Sequence, residues 1–166
     1  MPEPVHTVIS NTSPLFYLHR IGCLDVLKRL YGSVTVTPAV VQELAAGASQ
    51  GEDVPDVTAL PWVVVRQVSV PPFLSLIPDL GAGEASVLAL ATEMEEACLV
   101  IIDDRLGRRI AGLHALRCTG TAGVLLKSKR AGIIPRVLPC LAALDRAGFY
   151  LTSAVKRDIL DLAGEL

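Results

Sequence analysis

The stretch CLVIIDDRLGRRIA, residues 98–111, decides the fold. Five apolar residues run together, two acids follow at once, and a basic helix-like segment begins. A short unbroken apolar run suits a strand buried on both faces, as in parallel sheets. The same order recurs along the chain. VHTVIS (5–10) leads to Asn11 and then to Ser13-Pro14, which predicts a helix with Ser13 as N-cap and Pro14 in first position. CLDVLKRLY (23–31) carries apolar residues at 24, 27, 30 and 31 and reads as an amphipathic helix. SVTVT (33–37) is a second strand, and Pro38 opens the helix AVVQELAA. WVVVRQV (62–68) and LRCTG (116–120) complete the predicted strands, with helices over 82–96, 105–114, 121–131, 135–147 and 153–163. Gly, Ser, Pro and Asp cluster in 46–60, which predicts a loop.

Strands alternating with helices predict an α/β protein, a three-layer α/β/α sandwich around a parallel sheet of about four to five strands. The chain has 166 residues, 51% hydrophobic and 19% charged, which excludes disorder and suits one core. The expected organisation is a single domain over 1–166, with 133–166 as a C-terminal helical extension packed on it. No apolar stretch reaches the ~18–20 residues that span a bilayer. The N-terminus MPEPVHT shows no secretory pattern, so a cytoplasmic protein with no membrane association is expected. Cys23, Cys98, Cys118 and Cys140 lack CxxC spacing and read as free thiols rather than disulfides or a zinc site.

Charge is uneven. Residues 1–83 hold 4 basic and 7 acidic side chains, and residues 84–166 hold 11 and 10. Arg105, Arg108, Arg109, Arg117, Lys127, Lys129, Arg130 and Arg136 follow the Asp pair with no acid among them up to 144. Such a block is either a solvated face or a seat for a polyanion.

Candidate site residues fall at the ends of elements. Asn11 and Asp103-Asp104 follow strands, where sites form in open α/β sheets. Glu43 sits in the first turns of its helix, at the edge of the apolar stripe. Glu84 opens the helix GAGEASVLALA, three residues before Val87 in the stripe Val87, Leu90, Ala91 and Met94. Glu93, Glu95 and Glu96 turn away to solvent. Each acid has an ordinary alternative: Glu43 as a surface residue, Glu84 as a helix-terminal charge, Asp103-Asp104 as a helix cap. Together they predict one site of oxygen donors for Mg²⁺ or Mn²⁺. Metal-assisted hydrolysis of a phosphodiester needs no side-chain nucleophile. GAGEAS does not follow a clear strand and is not read as a dinucleotide fingerprint. His6, His19 and His114 show no ligand spacing, Trp62 reads as core, and Phe16 and Tyr17 read as buried or as an interface with a partner.

SNTSPLFYLHRIGCLDVLKRLYG, VTPAVVQEL, LGAGEASVLALA, IIDDRLGRRIA and GTAGVLLKSKRAGIIP, spanning Ser10 to Pro135, resemble the PIN-domain superfamily in order and spacing. That superfamily comprises metal-dependent ribonucleases and includes the VapC-like toxins. The likeness is nearer to a prokaryotic PIN-like branch with Asn at the first acidic position. The resemblance implies that Glu43, Glu84 and Asp104 occupy acidic metal positions, with Asp103 as an alternative or additional ligand. It matches Thr12 and Ser13 to the small hydroxyl residues after the first acid. Asn11 stands where typical members have Asp; its amide oxygen can bind a hard metal but is neutral and no base. Asn11, Glu43, Glu84, Asp103 and Asp104 are thus the expected catalytic set. Asn11, Glu43, Glu84 and Asp104 are the expected metal ligands, and Ser13, Arg105, Arg108 and Arg109 the phosphate contacts. The arginines could instead tether the aspartates.

The implied function is an RNA-hydrolysing toxin with an antitoxin partner, and a homodimer. The alternatives are a PIN-fold nucleic-acid-binding or scaffold protein with weak catalysis, and a small-molecule phosphoesterase.

Overall fold

The computed structural model describes residues 7–166. His6 and the first residues of the predicted strand VHTVIS lie outside them. Five strands form one parallel sheet: β1 (Thr7–Ser10), β2 (Val34–Val36), β3 (Val63–Val65), β4 (Cys98–Ile101) and β5 (Arg117–Thr119). Their order is β3-β2-β1-β4-β5. The chain first winds outward from β1 through β2 to β3, then crosses back to place β4 on the other side of β1. The winding therefore reverses between β1 and β4, where open α/β sheets leave a crevice at the strand ends.

Nine helices surround the sheet among the described residues: α1 (Thr12–Arg20), α2 (Val26–Tyr31), α3 (Pro38–Ser49), α4 (Pro72–Ser75), α5 (Ala82–Glu93), α6 (Arg105–Leu113), α7 (Thr121–Arg130), α8 (Leu138–Arg146) and α9 (Ser153–Leu162). Helices α1 and α2 both touch α7, and α4 and α6 both touch α5. Helix α3 meets α1 and α5. The predicted three-layer α/β/α architecture with a parallel sheet is the one observed. The main core joins strand residues such as Ile9, Val36, Val100 and Ile101 to Val137, Leu141, Leu144 and Ile159 from the C-terminal helices.

Several local expectations are corrected. Strand β3 is shorter than 62–68 because its partner β2 stops at Val36, ahead of the helix at Pro38; Arg66 N–H makes the last bond, to Val36 O at 2.9 Å. Helix α1 starts at Thr12 with Asn11 as N-cap, so Ser13 and Pro14 both lie inside the first turn. Proline is tolerated there because first-turn N–H groups have no helical partner. Residues 46–49 belong to α3 rather than to the loop. Helix α5 is not one-sided. Ala85 through Ala91 are all buried, because α4 and α6 cover its outer face through Leu74, Ile110 and Ala111. Glu93, Glu95 and Glu96 are exposed as expected. All four cysteines are free, with Cys98 alone fully buried, and Trp62 packs half-buried against the core.

Candidate functional site

Asn11 emerges directly from β1, and its backbone N–H continues the ladder to Ile101 O of β4 at 2.9 Å. The next residue on that side, Ile102, bonds to Thr119 O at 2.8 Å, which aims Asp103 and Asp104 off the same sheet edge. The two aspartates then take different jobs. Asp103 is held by three donors: Thr121 N–H at 2.7 Å, Thr121 Oγ1 at 2.7 Å and Ser13 Oγ at 3.1 Å. Asp104 caps α6, its Oδ2 accepting from Gly107 N–H at 2.7 Å.

Glu84 lies in the first turn of α5 and reaches back to accept Gly81 N–H at 2.6 Å. Glu43 comes from α3 and bridges two other helix starts. Its Oε1 accepts from Gly83 N–H at 2.6 Å and its Oε2 from Thr12 Oγ1 at 2.7 Å. Gly83 makes this approach possible, because a Cβ there would run into the Glu43 carboxylate. The buried hydroxyl pair Thr37–Ser86, 2.7 Å apart, fastens α3 to α5 behind it.

A cleft of about 350 Å³ is lined by Asn11, Ser13, Tyr17, Glu84, Asp103, Asp104, Phe149 and Tyr150. Glu43 is not part of that lining but lies near enough for its charge to reach Glu84. Burial pushes the Glu84 carboxyl above the ordinary carboxylate range, and the charges of Asp104 and Glu43 push it further; the Gly81 N–H and the Asn11 side chain pull the other way. Asn11 is 3% exposed, and its Oδ1 is buried with no hydrogen-bond partner. That orientation follows from chemistry, since the amide N–H₂ is the end that can donate to Glu84.

An orphaned buried carbonyl costs about 1–3 kcal/mol. Here it sits beside a carboxylate whose ionised form is disfavoured, and a cation would relieve both. The donors are all oxygen, which suits a hard divalent ion. Among the described residues, no three His, Cys, Asp or Glu side chains are gathered tightly enough to share an ion as they stand. Asn11 Oδ1 adds a donor beside the carboxylates, which would have to draw closer to share an ion. Hydrogen-bonded carboxylate oxygens keep lone pairs for such a role.

The basic segment divides. Arg105, Arg108 and Arg109 are exposed on α6 and make no ion pair among the described residues, so they do not tether the aspartates. Lys127 lies over the Tyr31 ring at 4.9 Å, Lys129 and Arg136 meet Glu165, and Arg130 bonds to Leu162 O at 3.3 Å. These four serve packing of the chain on itself, so the eight cations are not one phosphate-binding face. Sequence reasoning missed Phe149 and Tyr150 as cleft residues. Their signal was GFY (148–150) between two predicted helices.

A family model described as a PIN domain matches residues 7–165. The chain belongs to the PIN-domain family. It therefore carries a nuclease-type fold, and its acid cleft lies at the point where the PIN sheet reverses its winding. The comparison with curated proteins finds no match. Among the described residues of this PIN domain, no helix is long and apolar enough to cross a membrane.

Proposed function

We propose that this PIN domain is a metal-dependent ribonuclease that hydrolyses RNA phosphodiesters. Mg²⁺ or Mn²⁺ would be held by Asn11, Glu43, Glu84 and Asp104. The observation carrying this reading is Glu84: a carboxylate pushed toward its neutral form by burial and then by two other acids, beside an amide oxygen with no partner. A bound ion makes water more acidic and offsets negative charge on phosphate oxygens. The remaining work belongs to side chains. Asp103, fixed by Thr121 and Ser13, ties together the segments that leave β1, β4 and β5. Glu43 orients the starts of α1 and α5 and adds charge at the rim. Arg105, Arg108 and Arg109, exposed just beyond Asp104, are free to meet phosphate. The likeness to VapC-like toxins supports extending the proposal to a cytoplasmic toxin, silenced by an antitoxin protein and assembled as a homodimer.

The test is cleavage of structured and single-stranded RNA by purified protein with Mn²⁺, with Mg²⁺ and with chelator. Cleavage lost both in chelator and in Glu84→Gln supports the proposal. Cleavage that survives either one overturns it. Asn11 favours a second reading, a nucleic-acid-binding protein with weak hydrolysis, because the amide supplies Glu84 with a donor and brings no charge for a cation. RNA retention without any cleavage would decide for that reading.

A further inference from the structure

The C-terminal helices carry one aromatic side chain out over the acid cleft. Helix α8 ends in a paired turn: Gly148 N–H bonds to Asp145 O at 3.1 Å and Phe149 N–H to Leu144 O at 2.9 Å. Gly148 adopts φ +91°, which only glycine takes without strain. Two residues after Tyr150, Thr152 caps α9 by accepting Val155 N–H at 3.2 Å. Three residues are thus fixed between two helix ends. Phe149 turns inward and stacks edge-on against Tyr17 with centroids 4.9 Å apart, and Leu151 packs against the core. Tyr150, between them, is turned out. It is 84% exposed yet lines the cleft with Asn11, Glu84, Asp103 and Asp104.

Other large exposed apolar side chains, such as Leu113 and Phe73, do not line this cleft. Tyr150 contributes little to the core, so its position is not explained by packing. The acids of the cleft floor repel a phosphate unless a cation lies between them, and neither they nor a cation holds a base. A flat ring beside that floor supplies what is missing, since every nucleobase has a π-face. We infer that Tyr150 is a base-stacking residue that positions the nucleotide flanking the phosphate presented to Asn11, Glu84 and Asp104. This rests on the nuclease reading of the cleft. It assigns the α8–α9 turn the task of orienting the strand, with Phe149 on Tyr17 as the fixed support.

The test uses a short single-stranded RNA carrying 2-aminopurine, whose fluorescence is quenched by stacking, together with KM and kcat for its cleavage. Wild type, Tyr150→Phe and Tyr150→Trp are expected to quench the probe. Tyr150→Ala and Tyr150→Leu are expected to lose the quenching and to raise KM by roughly tenfold, with kcat changed less. Thermal midpoints should be unchanged in all four variants, as the side chain is exposed. Tyr150→Leu binding like wild type would overturn the inference, because bulk without a π-face would then suffice. If Tyr150→Ala binds and cleaves normally while Glu84→Gln is dead, the inference fails and the nuclease reading stands. If wild type neither binds nor cleaves RNA, both fall together.

Discussion

Glu84 and Glu165 are both withdrawn from solvent, and their surroundings are opposite. Glu165 has a side chain only 4% exposed. Burial would push its carboxyl up, but Val137 N–H at 2.7 Å, Leu138 N–H at 3.0 Å and Lys129 Nζ at 2.9 Å outweigh it and hold it at about 2. Lys129 also donates to Ala163 O. This region is a clasp that fixes the chain end and the start of α8 to α7. Glu84 receives Gly81 N–H and help from Asn11, yet burial raises its carboxyl and the charges of Asp104 and Glu43 raise it further. A satisfied buried acid builds structure. An acid left under repulsion is a candidate for function.

The comparison predicts opposite responses to one substitution. Glu84→Gln should abolish RNA cleavage and weaken Mn²⁺ binding by more than the roughly 10–100-fold that outer-shell partners cost. Its thermal midpoint should hold or rise, because like-charge repulsion is removed. Glu165→Gln should leave kcat intact and cost about 2 kcal/mol, a fall of roughly 4–8 °C, through weakened charge-assisted bonds. Calorimetry beside a cleavage assay checks both. A large loss of stability in Glu84→Gln would erase the distinction.

Acid should erode the clasp in a defined direction. The folded Glu165 pKa, about 2, is below its ordinary value of 4.5. Its ionisation therefore stabilises the fold fully above pH 4.5, and that contribution is lost as pH falls toward 2. The stability gap between wild type and Glu165→Gln, read from urea midpoints at pH 6 and pH 3, should narrow at the lower pH. A gap that widens would show that the clasp is not held by the ionised carboxylate.

The strand-to-acid junctions were legible in sequence because β1 and β4 are buried on both faces and their apolar runs end where the chain leaves the sheet. Asn11, Asp103 and Asp104 follow from that alone. Helix α5 was misread as one-sided, since Val87, Leu90 and Ala91 form a stripe whether or not a second layer covers Leu88 and Ala89. The N-cap of α1 moved from Ser13 to Asn11 because Ser13 bonds to Asp103 instead, a partner 90 residues away that no local rule contains. Glu165 gave no signal at all. Its partners lie on α7 and at the start of α8, and only packing brings them together.

Asn11 sharpens the comparison from inside the cleft. Asn11→Asp should raise Mn²⁺ affinity by about tenfold, near 1.4 kcal/mol, by adding a charge next to Glu84. Without metal the same change should lower the thermal midpoint, because a buried carboxylate would join three others and the donor to Glu84 would be gone. Titration calorimetry and melting with and without Mn²⁺ check the two signs. An unchanged titration would remove Asn11 from the site.

The smallest effect is expected at Gly83, where the cleft and the packing behind it meet. A methyl group there would displace the Glu43 carboxylate, the flexible end of a long exposed side chain, so the backbone need not move. Replacing glycine within a helix gains up to about 1 kcal/mol in propensity. Losing the Glu43 bond to Gly83 N–H costs a similar amount. The net stability change in Gly83→Ala should lie within about 1 kcal/mol. Metal affinity and cleavage should nonetheless fall, because Glu43 no longer adds its charge beside Glu84. Loss of activity at unchanged stability would mark Glu43 as part of the working site. Full activity with Glu43 displaced would reduce it to a brace between α1 and α5, and leave the chemistry to Asn11, Glu84 and Asp104.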